Sequence, residues 1–307
     1  MTPGLSAEVR DAIASGRPVV ALETSVVAQG LPRPHNLEAA LACEQAVRDA
    51  GAVPAATAVV DGVLRVGLAR SDLERLATET GLLKLGSRDL CVAVAQKRTG
   101  GTTVSATCEL AAAAGIRLFA TGGIGGVHRG VERDWDISQD LQALARFPVA
   151  VVCAGAKSIL DLPKTLEHLE ALGVPVVGVG TGEFPAFFSA RSGLPLEHRV
   201  EGADGAAAVV HARLSRLGQG GMILAQPPPP DSALPRDLVE AEIHRALKEA
   251  TQQGVTGKEV TPFLLGRVAA LTGGRSLAVN LALLVNNARL AGEVAVALAR
   301  RERGEDA

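Results

Sequence analysis

Lys157 is the residue best placed for covalent chemistry. It sits in FPVAVVCAGAKSILDL, residues 147–162, where 149–153 are a continuous apolar, β-branched-rich run and 154–156 are small. Such a run predicts a strand buried on both faces, which puts the lysine just past the strand's end. In open α/β sheets ligands bind at that end, and a lysine among small apolar neighbours is readily desolvated into a neutral amine that attacks carbonyl carbon. The alternative is that its stem packs and its ammonium snorkels to water. Glu23 has a similar address. Residues 18–22 predict a second strand, so the Glu23 carboxyl in VVALETSVVAQGLPRPHN follows it at the same sheet edge, able to act as general acid or base or else to cap the next turn.

Three further segments carry polar chemistry. TGGIGGVHRG, residues 121–130, has five glycines in ten positions, with His128 and Arg129 adding positive charge. Its backbone N–H groups can approach an anion closely, so a phosphate cradle stands beside a merely tight loop as its reading. GGIGG lacks the GxGxxG spacing of a dinucleotide fingerprint. Residues 133–140, RDWDISQD, gather acids and a serine that can hold a hard divalent cation through water while Ser138 reaches phosphate, unless Ser138 or Asp136 simply caps the helix DLQALARF. In GGRSLAVNLALLVNNARLAGEVA, Asn280, Asn287 and Glu293 form no single metal face. Asparagines on an apolar helix need hydrogen-bond partners, from ligand or from backbone.

Elements of two kinds must position these groups, and they alternate along the chain. The patterns predict a helix over 6–15, strand 18–22, helix 34–50, and strands 53–60 and 63–66 around an Asp61-Gly62 turn. Helices over 73–78, 89–97 and 107–114 follow, then strand 116–121, the strand before Lys157, helix 162–172 and strands 175–179 and 221–225. This predicts an α/β fold with a mostly parallel central sheet and helices on both faces. QPPPP, residues 226–230, is a stiff connector to three helical patterns, 237–253, 261–272 and 277–301. Residues 226–307 therefore read as a helical C-terminal section that caps the sheet or packs on another subunit, with RRERGEDA frayed at its end.

Composition narrows the partners. The length of 307 residues allows one or two domains, and the net charge is only −2. With 2% aromatics, no Tyr and no dense basic run, a nucleic-acid partner is not expected; a small molecule is. Four scattered cysteines without a CxxC pair read as reduced core residues. The N-terminus lacks a secretory pattern and no uninterrupted apolar stretch reaches the roughly 18 residues of a membrane span, so no membrane and a cytoplasmic setting are expected.

The segments ALETSVVAQGLPRPHN, KLGSRDL, GTTVSAT, FATGGIGGVHRG, DWDISQDL, VVCAGAKSILDLPKTLEHLE, EFPAFFSARSG, GVTGKEVTPFLL and GGRSLAVNLALLVNNA, in that order, resemble the pseudouridine-5'-phosphate glycosidase family over nearly the whole chain. The resemblance implies a single α/β domain over 1–307, assembled as a homotrimer. It implies reversible cleavage of the bond between uracil C5 and C1' of ribose 5-phosphate through a lysine Schiff base. By the same resemblance Lys157 is the nucleophile and Glu23 the proton donor. Lys84, the backbone at Val104, Ser138, Gln139 and Asp140 bind substrate, with Thr121, His128 and Asn280 beside them, and Asp136 binds one Mn2+ per subunit. One departure stands out: Gln29 occupies a position where the family commonly has histidine, and it cannot relay a proton as histidine can. Thr107, Asn280 and residues 184–188 are candidates for reading the base. The alternatives are a lysine-dependent aldolase acting on a sugar phosphate and a non-catalytic sugar-phosphate sensor.

Overall fold

The computed structural model describes residues 2–255 and 260–305. The chain opens with β1 (Gly4–Leu5) and α1 (Ala7–Ala14), capped by the Ser6 hydroxyl, which accepts from the Val9 amide. β2 (Val19–Leu22), α2 (His35–Asp49), β3 (Val53–Val60), β4 (Val63–Val66) and α3 (Arg70–Thr78) follow. Asp61 and Gly62 both take positive φ, 49° and 79°, as the tight β3–β4 turn demands. Next come β5 (Leu83–Leu85), α4 (Ser87–Ala95), β6 (Gly100–Thr102), α5 (Val104–Ala113), β7 (Leu118–Ala120), α6 (Val131–Asp134) and α7 (Gln139–Arg146). The rest comprises β8 (Ala150–Cys153), α8 (Leu162–Ala171), β9 (Val176–Val179), β10 (His198–Val200), α9 (Gly202–Val210) and β11 (Met222–Ala225). Three helices close the chain: α10 (Arg236–Gln252), α11 (Val260–Leu271) and α12 (Arg275–Glu302).

The strands form one sheet in the order β1-β4-β3-β2-β7-β8-β11-β9-β10, with β6 also on β3 and β5 on β6. From β3 to β10 each neighbour on that path is parallel, whereas β4 and β6 run antiparallel to β3. The mostly parallel sheet expected from the alternation is present. β2 and β8 are buried at every residue, which requires cover on both faces. α12 lies against β2, β7 and β8 with α2 and α9 beside it; α5 packs on β2, β3 and β7 with α4 and α7 beside it. A continuous hydrophobic cluster runs from Val9 to Leu298.

The C-terminal section caps the sheet as expected, through α12, which forms a layer of the main core. By length and composition this helix could cross a bilayer, yet most of its apolar window is buried within the protein. Its end is also better held than a frayed tail. Glu302 accepts from Ser215 Oγ at 2.9 Å and pairs with Arg117, whose guanidinium holds the Glu302 carboxyl below the usual carboxylate range. Residues 306–307 of that tail, and 256–259 of GVTGKEVTPFLL, lie outside the described residues.

Several short elements depart from the expected pattern. β6 is Gly100-Gly101-Thr102, without any apolar alternation. A Cβ on Gly101 would lie 2.6 Å from the Thr24 carbonyl oxygen, so only glycine lets β6 dock against the chain leaving β2. α5 begins three residues before the expected start at 107, and α4 two before 89, which brings both helix N-termini to the sheet edge.

Cys43, Cys108 and Cys153 are buried as expected, but Cys91 is exposed on the outer face of α4, between buried Leu90 and Ala93. Burial pushes the Cys43 and Cys153 thiols up to about 12 and raises Cys108 well above its ordinary value. A thiol reagent at neutral pH is expected to consume one equivalent per native chain, at Cys91, and four after denaturation. A second fast equivalent in the native protein would contradict this packing.

Candidate active site

β2, β7 and β8 are neighbours, with Leu22, Ala120 and Val152 level across the sheet. Their C-terminal exits deliver Glu23, Thr121 and, three small residues later, Lys157 to a cavity of about 920 Å³. Lys84, His128, Asp136, Ser138, Gln139, Asp140 and Asn280 line the same cavity. Val104 does not. Its side chain is buried at the start of α5, while its neighbours Thr103 and Ser105 reach the cavity, consistent with a role through backbone alone.

Glu23 is bracketed by two hydroxyls. Its Oε2 accepts from Ser25 Oγ at 2.5 Å, and its Oε1 accepts from Thr121 Oγ1. Thr121, expected to touch substrate, thus also orients the carboxylate. The intervening Thr24 points away and is fully buried. Its hydroxyl donates to the Thr57 carbonyl at 2.6 Å and accepts from the Thr102 amide at 3.2 Å, fastening β6 to the end of β2. Adjacent hydroxyl residues therefore divide the work: one knits the sheet, the other fixes the acid.

Lys157 is half-buried on the cavity wall. Its amide donates to the Ile124 carbonyl at 3.1 Å, joining the lysine segment to the glycine loop, and a parallel bridge pairs Ile124 with Ala156. The turn just before it depends on Gly155, where φ is +80° and a Cβ would fall 2.1 Å from the Pro185 carbonyl oxygen.

Another part of the wall suits an anion. The N-termini of α4, α5 and α7 all contribute to it, through Gly86, Thr103 and Ser138, together with the cations Lys84 and Arg88. Helix N-termini present amides without intrahelical acceptors and a positive dipole end. Asp140 builds this wall rather than meeting a ligand with free oxygens: Oδ1 accepts from the Ser105 amide at 2.9 Å and Oδ2 from the Gly125 amide at 2.8 Å. Ser138 caps α7, its Oγ accepting from the Asp140 amide at 3.2 Å, so the cap expected from sequence and a cavity-lining position coincide. Gln139 Oε1 accepts from the Arg88 amide at 3.2 Å, tying α7 to α4.

Gly125 is fixed by this packing as much as by any anion. A Cβ there would stand 2.2 Å from Ser138 Oγ and 2.7 Å from Asp140 Oδ2. Gly125→Ala is expected to cost about 1–3 kcal/mol of stability as an overpacking change, and to raise KM for a phosphorylated substrate more than it lowers kcat. Thermal melts and steady-state kinetics check both; an unchanged melt would show that the loop yields freely.

Residues 8–297 match the family described as indigoidine synthase A like protein. The chain belongs to that family. A relative from Myxococcus xanthus named pseudouridine-5'-phosphate glycosidase is 63% identical, covering 96% of this chain and 98% of its own. One of the same name from Herpetosiphon aurantiacus is 55% identical, with 96% and 97% covered. Among solved structures, the prealnumycin C-glycosynthase AlnA in complex with ribulose 5-phosphate is 39% identical with a TM-score of 0.91, covering 99% of each chain. An indigoidine synthase A-like protein from Thermotoga maritima is 36% identical with a TM-score of 0.88, covering 98% of this chain and 97% of its own. The sequence resemblance to the glycosidases holds over nearly the full length.

In this indigoidine synthase A-like chain, some expected site residues lie elsewhere. Arg129 does not line the cavity; it pairs with Glu240 on α10. Thr107, a candidate base reader, is fully buried and hydrogen-bonded to Thr57 and Thr102. Asn287 finds its partner in backbone, donating to the Thr121 carbonyl at 2.8 Å and so pinning the glycine loop to α12. Of residues 184–188, Phe187 reaches the cavity. Gln29 also lines it, donating to the Leu82 carbonyl at 3.1 Å while its Oε1 is buried without a hydrogen-bond partner among the described residues. Sequence reasoning passed over Ser25, Arg88, Thr103, Ser105 and the exposed Trp135, all of which line the cavity. The hydroxyl-rich GTTVSAT and the Gly86-Ser87 pair that opens α4 are the available signals.

Among the described residues no three His, Cys, Asp or Glu side chains gather as a metal cage. Asp136 is half-exposed on the cavity, with His128 Nδ1 at 3.9 Å from its Oδ2. A single carboxylate suits a hard divalent ion that completes its shell with water and phosphate, and does not suit a dedicated all-protein site.

Proposed function

We propose that this protein is a pseudouridine-5'-phosphate glycosidase, a single-domain enzyme that reversibly cleaves the C–C glycosidic bond of pseudouridine 5'-phosphate to uracil and ribose 5-phosphate. The observation that carries the reading is the delivery of Lys157 and Glu23 to one cavity that also gathers Lys84, Arg88 and three helix N-termini. The names of the relatives supply the substrate class. A carbon leaving group has no lone pair to protonate, so two-carboxylate glycosidase chemistry does not suit this bond. Glu23 instead protonates the ribose ring oxygen as the sugar opens, and the neutral Lys157 amine bonds to C1'. C5 then takes a proton, leaving positive charge at C6 that N1 stabilises, and as the amine lone pair forms the iminium at C1' the C1'–C5 electron pair restores the C5=C6 double bond and uracil departs. Water hydrolyses the resulting iminium, releasing ribose 5-phosphate and the free amine. The phosphate is the handle: bound at Lys84 and the helix N-termini, it aligns C1' with remote binding energy.

Asp136 would hold Mn2+, with Ser138 on the same short segment beside the phosphate. When bound, the ion supplies fixed positive charge and ordered water near the phosphate. The reading includes a homotrimer and a cytoplasmic setting, with small molecules as the partners and neither nucleic acid nor membrane; light scattering on the purified protein tests the trimer. Incubation with pseudouridine 5'-phosphate and Mn2+ is expected to release uracil, followed by chromatography. No uracil, together with aldol cleavage of another sugar phosphate, would overturn the proposal in favour of a lysine-dependent aldolase.

A further inference from the structure

Arg129 belongs to the glycine loop in sequence but not to the cavity in space. Its guanidinium makes four hydrogen bonds: Nη1 to Glu240 Oε2 at 2.9 Å, Nη2 to Glu240 Oε1 at 3.0 Å, Nε to the Leu160 carbonyl at 3.2 Å and Nη2 to the Ser158 carbonyl at 3.1 Å. Three stretches of chain meet on this one planar group: the loop after β7, the residues following Lys157, and α10. We propose that Arg129 and Glu240 form a clamp that positions Lys157 for attack, both acting as positioning residues rather than touching substrate. The inference rests on Lys157 being the nucleophile.

The geometry supports it from both sides of the lysine. Ahead of Lys157 the backbone is set by the Ile124–Ala156 bridge and by the bond from the Lys157 amide to Ile124. Behind it, the Leu160 amide returns to the Lys157 carbonyl at 3.0 Å, while the Leu160 carbonyl faces Arg129. The far end of the segment is tied to the same loop by the antiparallel His128–Leu160 bridge and by the Asp161 amide, which donates to the Val127 carbonyl at 2.9 Å; the guanidinium adds the side-chain bonds to the Ser158 and Leu160 carbonyls that fix the residues directly after the lysine. A bidentate Arg–carboxylate pair fixes orientation as well as distance, which a lysine at position 129 could not reproduce. Glu240 matters because it sets the plane of the guanidinium that holds the two carbonyls. α10 itself leads to Val255, which lines the cavity with Val260 and Leu265 of α11. Both partners are mostly buried, 24% and 31% exposed, and the pair is bidentate, so its loss is expected to cost some stability as well as position. Bond formation is less tolerant, since a misplacement of about 1 Å costs on the order of a hundredfold in rate.

The test uses the full-length chain and the variants Glu240→Ala, Glu240→Gln and Arg129→Lys. Two rates are read for each: kcat for uracil release, and borohydride trapping of ribose 5-phosphate on the Lys157 peptide. In Glu240→Ala both are expected to fall by about tenfold or more, with KM within roughly twofold and a melting temperature that stays well above the assay temperature. Glu240→Gln, which keeps the shape and one acceptor, should fall between wild type and alanine, and serves if the alanine variant does not fold. Trapping at the wild-type rate in Glu240→Ala or Glu240→Gln, and in Arg129→Lys, overturns the clamp. So does a loss of activity that merely follows a melting temperature lowered into the assay range and a raised KM. If the wild-type chain itself traps no ribose 5-phosphate, the nucleophile reading fails first and the clamp fails with it.

Discussion

Replacing Lys157 with alanine is expected to bring uracil release down to the uncatalysed background, a loss of at least about a thousandfold, while the fold survives. The expectation of an intact fold follows from where the lysine sits. Its structural bonds are made by its backbone, to Ile124 and from Leu160, and alanine keeps both. Its side chain lies half-buried on a cavity wall rather than in the core, so truncation widens a space that is already open to ligand. Lys157→Arg sharpens the test. Arginine keeps a positive charge beside the phosphate region but cannot form an imine, so it should be as inactive as alanine if the amine is a nucleophile. Were the lysine only an electrostatic anchor, arginine would retain much of the activity and raise KM modestly. Borohydride with ribose 5-phosphate gives the direct readout: a mass increase on the peptide containing residue 157 in wild type and none in either variant. Activity of either variant above about one hundredth of wild type would remove Lys157 from the mechanism.

The parts of this fold that could be read from sequence are those whose signal is local. Residues 149–153 and 18–22 are continuous apolar runs, and a run of that kind has few conformations open to it besides a doubly covered strand. Once those strands were placed, Glu23 and Lys157 had to emerge at the same edge. What escaped was long-range. β6 has no apolar pattern because its glycines answer to the Leu83 carbonyl of β5 and to the Thr24 carbonyl on the chain leaving β2. Nothing near Asp140 announces that its oxygens hold amides of Ser105 and Gly125, and a loop carboxylate at a phosphate motif looks the same whether it meets ligand or backbone. Arg129 misled for a related reason. A cation in a glycine loop suggests an anion, but Glu240 lies 111 residues further on and no local pattern connects the two. Asn287 shows the converse case: its burial on an apolar helix implied a partner, and only the packing of α12 against the β7 exit reveals that the partner is the Thr121 carbonyl.

Glu23→Gln should separate the acid from the nucleophile. The substitution preserves shape, and the bracket around position 23 can survive it: Ser25 and Thr121 hydroxyls both donate to the carboxylate, and either can rotate to accept from an amide instead. What is lost is a transferable proton. Cleavage of pseudouridine 5'-phosphate requires the ribose ring oxygen to be protonated as the ring opens, so kcat is expected to fall by roughly 10²–10⁴-fold. Ribose 5-phosphate makes a different demand, because a free sugar opens to its aldehyde in water without enzyme. Lys157 can therefore still condense with it, and borohydride trapping in Glu23→Gln should stay within roughly tenfold of wild type. The two variants thus predict a pattern: Lys157→Ala loses cleavage and trapping together, while Glu23→Gln loses cleavage and keeps trapping. An equal loss of both in Glu23→Gln would mean that the carboxylate serves imine formation itself, for instance by taking the lysine's proton, and the ring-opening proton would then have to come from another cavity group.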